Sequence, residues 1–149
     1  MGDATDAFKQ RLRDAFDALS VGQEFTFRRT FTDADVALFC GVTGDFNPYH
    51  SDDEFVRESW FERRLVPGLL TGSMMTHIGG LIGFLATEMT FEFVGPVYIG
   101  DTITCTVTIA EKDAGKRSAV GVVRCVNQDD QDVLRARFAG FPSQVRLAR

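Results

Sequence analysis

The stretch VPGLLTGSMMTHIGGLIG, residues 66–83, decides how this chain is read. It is apolar, rich in small residues, and free of Asp, Glu, Lys and Arg. Pro67 suits the first helical position, where its missing N–H leaves no bond unmade. A helix that is hydrophobic on most of its faces belongs inside a protein. Gly72, Gly79, Gly80 and Gly83 let neighbouring backbone come close, at some cost in helix propensity. Glycine and polar residues interrupt the apolar run well short of a membrane span. The expectation is a long, buried central helix.

The segments that would cover it lie mostly downstream. TFEFVGPVYIGD begins with strand-like alternation and breaks at Gly95-Pro96. DTITCTVTIAEK (101–112) alternates β-branched residues, and AVGVVRCVN (119–127) and VLRARFAGF (133–141) follow as strands. KDAGK and QDDQD read as hairpin turns, so these segments form an antiparallel meander. Upstream, EFTFRRTF (24–31) suits one more strand. A sheet wrapped round one hydrophobic helix buries the helix and one sheet face together. The expected class is α+β, with an antiparallel sheet around a long central helix.

Two further helices precede it. Phe8, Leu12, Phe16 and Leu19 make one apolar stripe over roughly residues 5–19. This amphipathic helix reads as a packing appendage, an extension over 1–20 ahead of a single domain over 21–149. Thr32-Asp33-Ala34-Asp35 is a capping signal for a helix over about 33–42 that buries Val36, Phe39 and Cys40. Next comes GDFNPYHSD (44–52), a turn by virtue of its Asn, Asp and Pro. Ser51-Asp52-Asp53-Glu54 is a second capping box, opening a short helix to about Glu58 and placing His50 just before its N-cap.

Composition sets the function classes. The chain has 149 residues, 44% of them hydrophobic, with 14 Phe against one Trp and two Tyr. A net charge of −5 argues against nucleic acid as a partner. Cys40, Cys105 and Cys125 are odd in number and lack a Cys-x-x-Cys pair, so they read as buried free thiols of a reducing cytosol. Two distant histidines make a His-based metal site improbable. The N-terminus carries charge throughout and has no signal-peptide core. A cytoplasmic protein without a membrane partner is expected.

Three segments in order resemble the MaoC-like (R)-specific enoyl-CoA hydratases, which have a hotdog fold. They are DVALFCGVTGDFNPYHSD (35–52), VPGLLTGSMMT (66–76) and FEFVGPVYIGDTITCTV (91–107). The resemblance implies reversible addition of water to a trans-2-enoyl-CoA, giving an (R)-3-hydroxyacyl-CoA, in a homodimer or a higher oligomer of dimers. By position it implies Asp45 and His50 as the catalytic pair and Asn47 as the residue that orders their loop. It implies that the Gly68 N–H faces the thioester oxygen and that Thr76 lies near the catalytic water. No cofactor or metal is implied; the CoA thioester is the substrate.

The chemistry agrees with that implication. Hydration needs a group to take a proton from water, a proton for Cα, and donors for the developing enolate oxygen. A carboxylate and an imidazole sharing one water meet the first two needs, and the start of a buried helix supplies the donors. Pro67 departs from the family, which usually carries histidine there, and residues 83–90 are short, so chain-length specificity is left open. Thr76 has a competing reading, a hydroxyl bonded back within its own helix. His77 points about 100° away from Thr76 on a helix and reads as a packing or interface residue. Arg63 and Arg64 read as a solvated loop, with contact to CoA phosphates as the alternative. On the same fold, a thioesterase and an acyl-CoA-binding module without turnover are the competing functions.

Overall fold

The computed structural model describes residues 2–144. Alternation in the C-terminal half becomes sheet. In β3 (Thr102–Asp113), Ile103, Cys105, Val107 and Ile109 point inward and are fully buried, while the threonines between them face outward. β4 (Ser118–Val126) and β5 (Asp132–Phe141) continue the antiparallel meander that the hairpin turns predict. β1 (Glu24–Thr30) pairs with β3 on the other side.

The first of the downstream strands departs from the meander. β2 (Leu85–Phe93) pairs with β5, so the five-stranded order is β1-β3-β4-β5-β2. After Phe93 the chain leaves the sheet edge and crosses to β3. On the way the Val66 N–H bonds the Val97 carbonyl at 2.8 Å, and Leu65 bridges Tyr98. Asp101, 7% exposed, closes the crossing by accepting from the Tyr98 N–H and the Gln128 amide. This crossing places Pro96 and Val97 beside Pro67.

The central helix is not continuous. It comprises α5 (Gly68–Gly72) and α6 (Met74–Leu81), parted at Ser73. The physical reason is local: the Ser73 hydroxyl donates to the Leu70 carbonyl and the Thr76 hydroxyl to the Ser73 carbonyl, each at 2.6 Å. Such back-bonds compete with the helical ladder, and here the Thr76 N–H bonds Ser73 three residues back instead of Gly72. Met74, Met75 and Ile78 still enter the core between α2 (Asp33–Thr43) and the sheet.

Gly68 and Gly72 let β2 ride close on α5. A Cβ at Gly72 would sit 2.8 Å from the Phe91 ring, and one at Gly68 would sit 2.7 Å from the Phe93 ring. The two rings lie nearly parallel, with centroids 6.2 Å apart.

The N-terminal helix α1 (Asp6–Ala18) is capped by Thr5 and buries Ala15 and Phe16. Leu19 joins Ile82 and Ile109 in a second small core, and the Lys112 ammonium sits over the Phe16 ring. Phe8, at the other end of the stripe, is 42% exposed, so only the C-terminal half of α1 packs. All three cysteines are buried free thiols. Cys105 and Cys125 face each other across β3 and β4, and their contact, followed by burial, pushes the Cys125 thiol up. Among the described residues no helix is long and apolar enough to cross a membrane.

Candidate active site

The loop after α2 is built from consecutive side-chain-to-backbone bonds. Gly44 ends α2 in the left-handed region (φ 73°), with its N–H on the Cys40 carbonyl. The Asp45 N–H then donates to the Thr43 hydroxyl, and the Asn47 N–H to Asp45 Oδ1, both at 3.2 Å. Asn47 Oδ1 accepts from the Tyr49 N–H and so caps a one-turn helix, α3 (Pro48–Ser51), with Pro48 at its start.

His50 therefore lies inside α3, not just before a longer helix. Ser51 is not the next cap either: Asp52 caps α4 (Asp53–Arg57), accepting from the Glu54 and Phe55 N–H groups. Asp52 closes the α3 turn with its own N–H and opens α4 with its carboxylate, so the two short helices share one residue.

Leu65 fixes the histidine. Its N–H bonds the Tyr49 carbonyl at 2.9 Å, and its carbonyl lies 2.8 Å from His50 Nδ1. A carbonyl only accepts, so Nδ1 is the donor of that bond and Nε2 is the ring nitrogen turned toward the cavity. Nε2 faces Asp45 Oδ2 at 3.8 Å. That is too long for a direct hydrogen bond, but a water about 2.8 Å from each atom would close the triangle at about 85°. The His50 side chain is 12% exposed and that of Asp45 is 46%. The pair is therefore open to solvent on the carboxylate side.

Both groups line a cavity of ≈ 470 Å³ whose walls include Phe39, Val66, Phe93 and Val133. Gly68 and Thr71 line it from α5. Among the described residues the Gly68 and Leu69 N–H groups have no hydrogen-bond partner, because the chain enters α5 from Pro67 without a side-chain cap. α5 is a single short turn, so these donors act as individual N–H groups rather than as the end of a long helix dipole.

The structure thus gathers Asp45, His50 and Gly68 on one cavity. Asn47 stands behind them as the cap of α3. Thr76 is elsewhere: its hydroxyl is bonded back to Ser73, and it lines two other depressions, one with His77 and one with Gly79. His77 stacks on Phe27, centroids 4.0 Å apart. Thr71 was not singled out in the sequence. Its signal was a hydroxyl in an apolar helix one turn after Gly68.

The paired arginines hold the scaffold. Arg64 reaches Asp33 at 2.5 Å and Asp53 at 2.8 Å, joining α2 to α4 next to Leu65. Partial burial works against its charge, yet the hydrogen bonds to Asp33 and Asp53 hold its pKa above the ordinary value. Arg63 lies over the Tyr98 ring at 4.2 Å. Burial, and then the Asp45 carboxylate, push the Cys40 thiol up, so it stays protonated beside the site. Among the described residues no cluster of three or more His, Cys, Asp or Glu is placed to hold a metal ion.

Comparison with known proteins gives one consistent set of relatives. The MaoC like domain model matches residues 17–130. An (R)-specific enoyl-CoA hydratase of Aeromonas caviae is 32% identical over 120 residues, covering 74% of this chain and 86% of that protein. A 3-hydroxybutyryl-CoA dehydratase of Methylorubrum extorquens is 29% identical over 119 residues, covering 77% of this chain and 76% of the other. Among solved structures, an R-hydratase of Pseudomonas aeruginosa superposes with a TM-score of 0.81 at 25% identity, covering 90% of this chain and 91% of that one.

Proposed function

The chain belongs to the MaoC-like domain family, and from that premise we propose that it adds water reversibly to a trans-2-enoyl-CoA, giving an (R)-3-hydroxyacyl-CoA. The observation that carries this reading is the Asp45–His50 pair, 3.8 Å apart with Nδ1 held by the Leu65 carbonyl, on one cavity with the unbonded Gly68 N–H. The hydratase and dehydratase relatives support it.

In the proposed reaction one water lies between Asp45 Oδ2 and His50 Nε2. As its oxygen bonds Cβ, one proton passes to the pair. The electrons of the double bond move toward the thioester oxygen, which the Gly68 N–H stabilises. A proton then returns from the pair to Cα, so the site ends in the state in which it began. Leu65 keeps the imidazole in the tautomer that can accept the first proton. No cofactor takes part in this scheme; the CoA thioester is the substrate.

A homodimer in the cytoplasm fits this reading. β2 is an outer strand of the sheet and exposes Leu85, Met89 and Phe93 by 70, 43 and 54%. An edge with that much apolar surface favours pairing with a second copy. The deciding experiment offers the protein one short trans-2-enoyl-CoA and the matching saturated acyl-CoA. Loss of the conjugated-thioester absorbance with formation of the (R)-3-hydroxy product supports hydration. Release of free CoA from the saturated compound, with no hydration, would identify a thioesterase instead.

A further inference from the structure

We infer that the Thr71 hydroxyl donates a hydrogen bond to the substrate's thioester oxygen, alongside the Gly68 N–H; this rests on the hydratase reading of the same cavity. Thr71 is 2% exposed, and its Oγ1 is the single buried side-chain oxygen or nitrogen without a hydrogen-bond partner among the described residues. Native proteins rarely leave such a group orphaned, so each instance calls for a reason.

The helix does not supply its partner in the structure. A threonine in a helix ordinarily bonds back to the carbonyl three or four residues earlier, as Thr76 does here. For Thr71 the carbonyl four residues back is that of Pro67. It already accepts from the Leu70 N–H at 3.0 Å and from the Thr71 N–H at 3.2 Å, which occupies both lone pairs. The hydroxyl makes no bond to the Gly68 carbonyl three residues back either, so it is free for a partner outside the helix.

Position supplies the candidate. Helical side chains lean toward the N-terminus and cover the preceding turn, which for Thr71 begins at Gly68. Thr71 lines the same cavity as Gly68, Asp45 and His50, and in the inferred complex its hydroxyl turns about χ1 to meet the substrate there. The other polar groups there are already spoken for in part. The Thr43 hydroxyl donates to the Phe39 carbonyl, Asp45 Oδ1 accepts from Asn47, and His50 Nδ1 is held by Leu65. What remains is two proton acceptors, Asp45 Oδ2 and His50 Nε2, and two donors, the Gly68 N–H and the Thr71 O–H. An enoyl thioester needs acceptors at the water and donors at the carbonyl, which is this division.

The test uses Thr71→Val, which keeps the shape and removes the hydroxyl, with Thr71→Ala as a second hydroxyl-free variant and Thr71→Ser to restore it. Hydration of a short enoyl-CoA should fall by roughly 10- to 100-fold in kcat in the valine and alanine variants, with KM little changed, and recover in the serine variant. The melting temperature of Thr71→Val should stay the same or rise, because an unpartnered hydroxyl has been replaced by a methyl group. In parallel, the carbonyl stretch of bound butyryl-CoA should lie at lower frequency in the wild type than in Thr71→Val. Native kcat in both hydroxyl-free variants, or an identical carbonyl stretch, would overturn the proposal. If the wild type hydrates nothing, the hydratase reading fails separately. The infrared shift still decides Thr71, with absence of butyryl-CoA binding counting against it.

Discussion

Replacing Gly72 and Gly68 by alanine, one at a time, separates packing from chemistry in α5. The new Cβ would meet a phenylalanine ring at nearly the same distance in both cases, 2.8 Å to Phe91 and 2.7 Å to Phe93. The rings differ in freedom. Phe91 packs against the main core, whereas Phe93 is 54% exposed and can swing outward. Overpacking a site that cannot give costs about 1–3 kcal/mol, and alanine returns about 1 kcal/mol of helix propensity. Gly72→Ala should therefore lose a net of about 1 kcal/mol, a fall of roughly 3 °C in melting temperature for a domain of this size. Gly68→Ala, where the ring can give, should by the same reckoning keep up to about 1 kcal/mol of helix propensity and melt up to about 3 °C above the wild type. Phe93 lines the cavity, however, so its displacement should lower hydration turnover, and Gly68→Val should lower it further while leaving the protein folded. Urea and thermal melts read the first effect, and enoyl-CoA hydration the second. A Gly72→Ala variant more stable than wild type would refute the close approach of β2 to α5. Native turnover in Gly68→Val would remove Gly68 from the site.

Two further predictions concern the scaffold. Asp35 completes the capping box of α2; the bond from the Thr32 N–H, and then the Thr32 hydroxyl and Arg29, hold its carboxyl below the ordinary value. Its contribution is thus complete above that ordinary value of 3.8 and is lost as pH falls through the lower folded value. Asp35→Asn should cost about 1 kcal/mol in urea midpoints near neutrality, with the gap to wild type closing below about pH 4; a gap that widens in acid would contradict this. Arg64→Met keeps the stem and removes the clamp between Asp33 and Asp53, whose carboxylates are 67 and 63% exposed. A loss of only about 1 kcal/mol is expected, smaller in 1 M salt, and an unchanged melting curve at low salt would show that the clamp holds nothing.

Most of the architecture was legible in the sequence because it rests on burial pattern and turn chemistry. Alternation in 101–112 and the turns at KDAGK and QDDQD specify β3, β4 and β5 with their pairing. The place of β2 was not legible, because Gly95-Pro96 announces a break without saying where the chain goes. Only the Val66–Val97 bond and the Asp101 turn show the crossing. The break at Ser73 was hidden for another reason: apolar composition reports burial, not continuity, and the back-bonds of Ser73 and Thr76 are local. Asn47-Pro48 carried two readings, since the residues that make a turn also make the cap and first residue of a one-turn helix. Asp45, His50 and Gly68, which the family resemblance rather than their spacing had singled out together, line one cavity. Thr71 stayed hidden because a helical threonine is ordinarily satisfied by its own helix, and only its buried, unpartnered Oγ1 reveals otherwise.

The central claim is that Asp45 and His50 act as one unit on one water. It is tested most directly by kcat/KM for hydration of a short enoyl-CoA in Asp45→Asn, His50→Gln and the double variant, with thermal melting as the folding control. Each single variant should lose on the order of 100- to 10,000-fold while melting like the wild type, because Asp45 on its loop and His50 on the one-turn helix α3 line the cavity outside the hydrophobic core. The double variant should lose far less than the product of the two. Native hydration rates in both single variants, or losses that multiply in the double, would contradict the account.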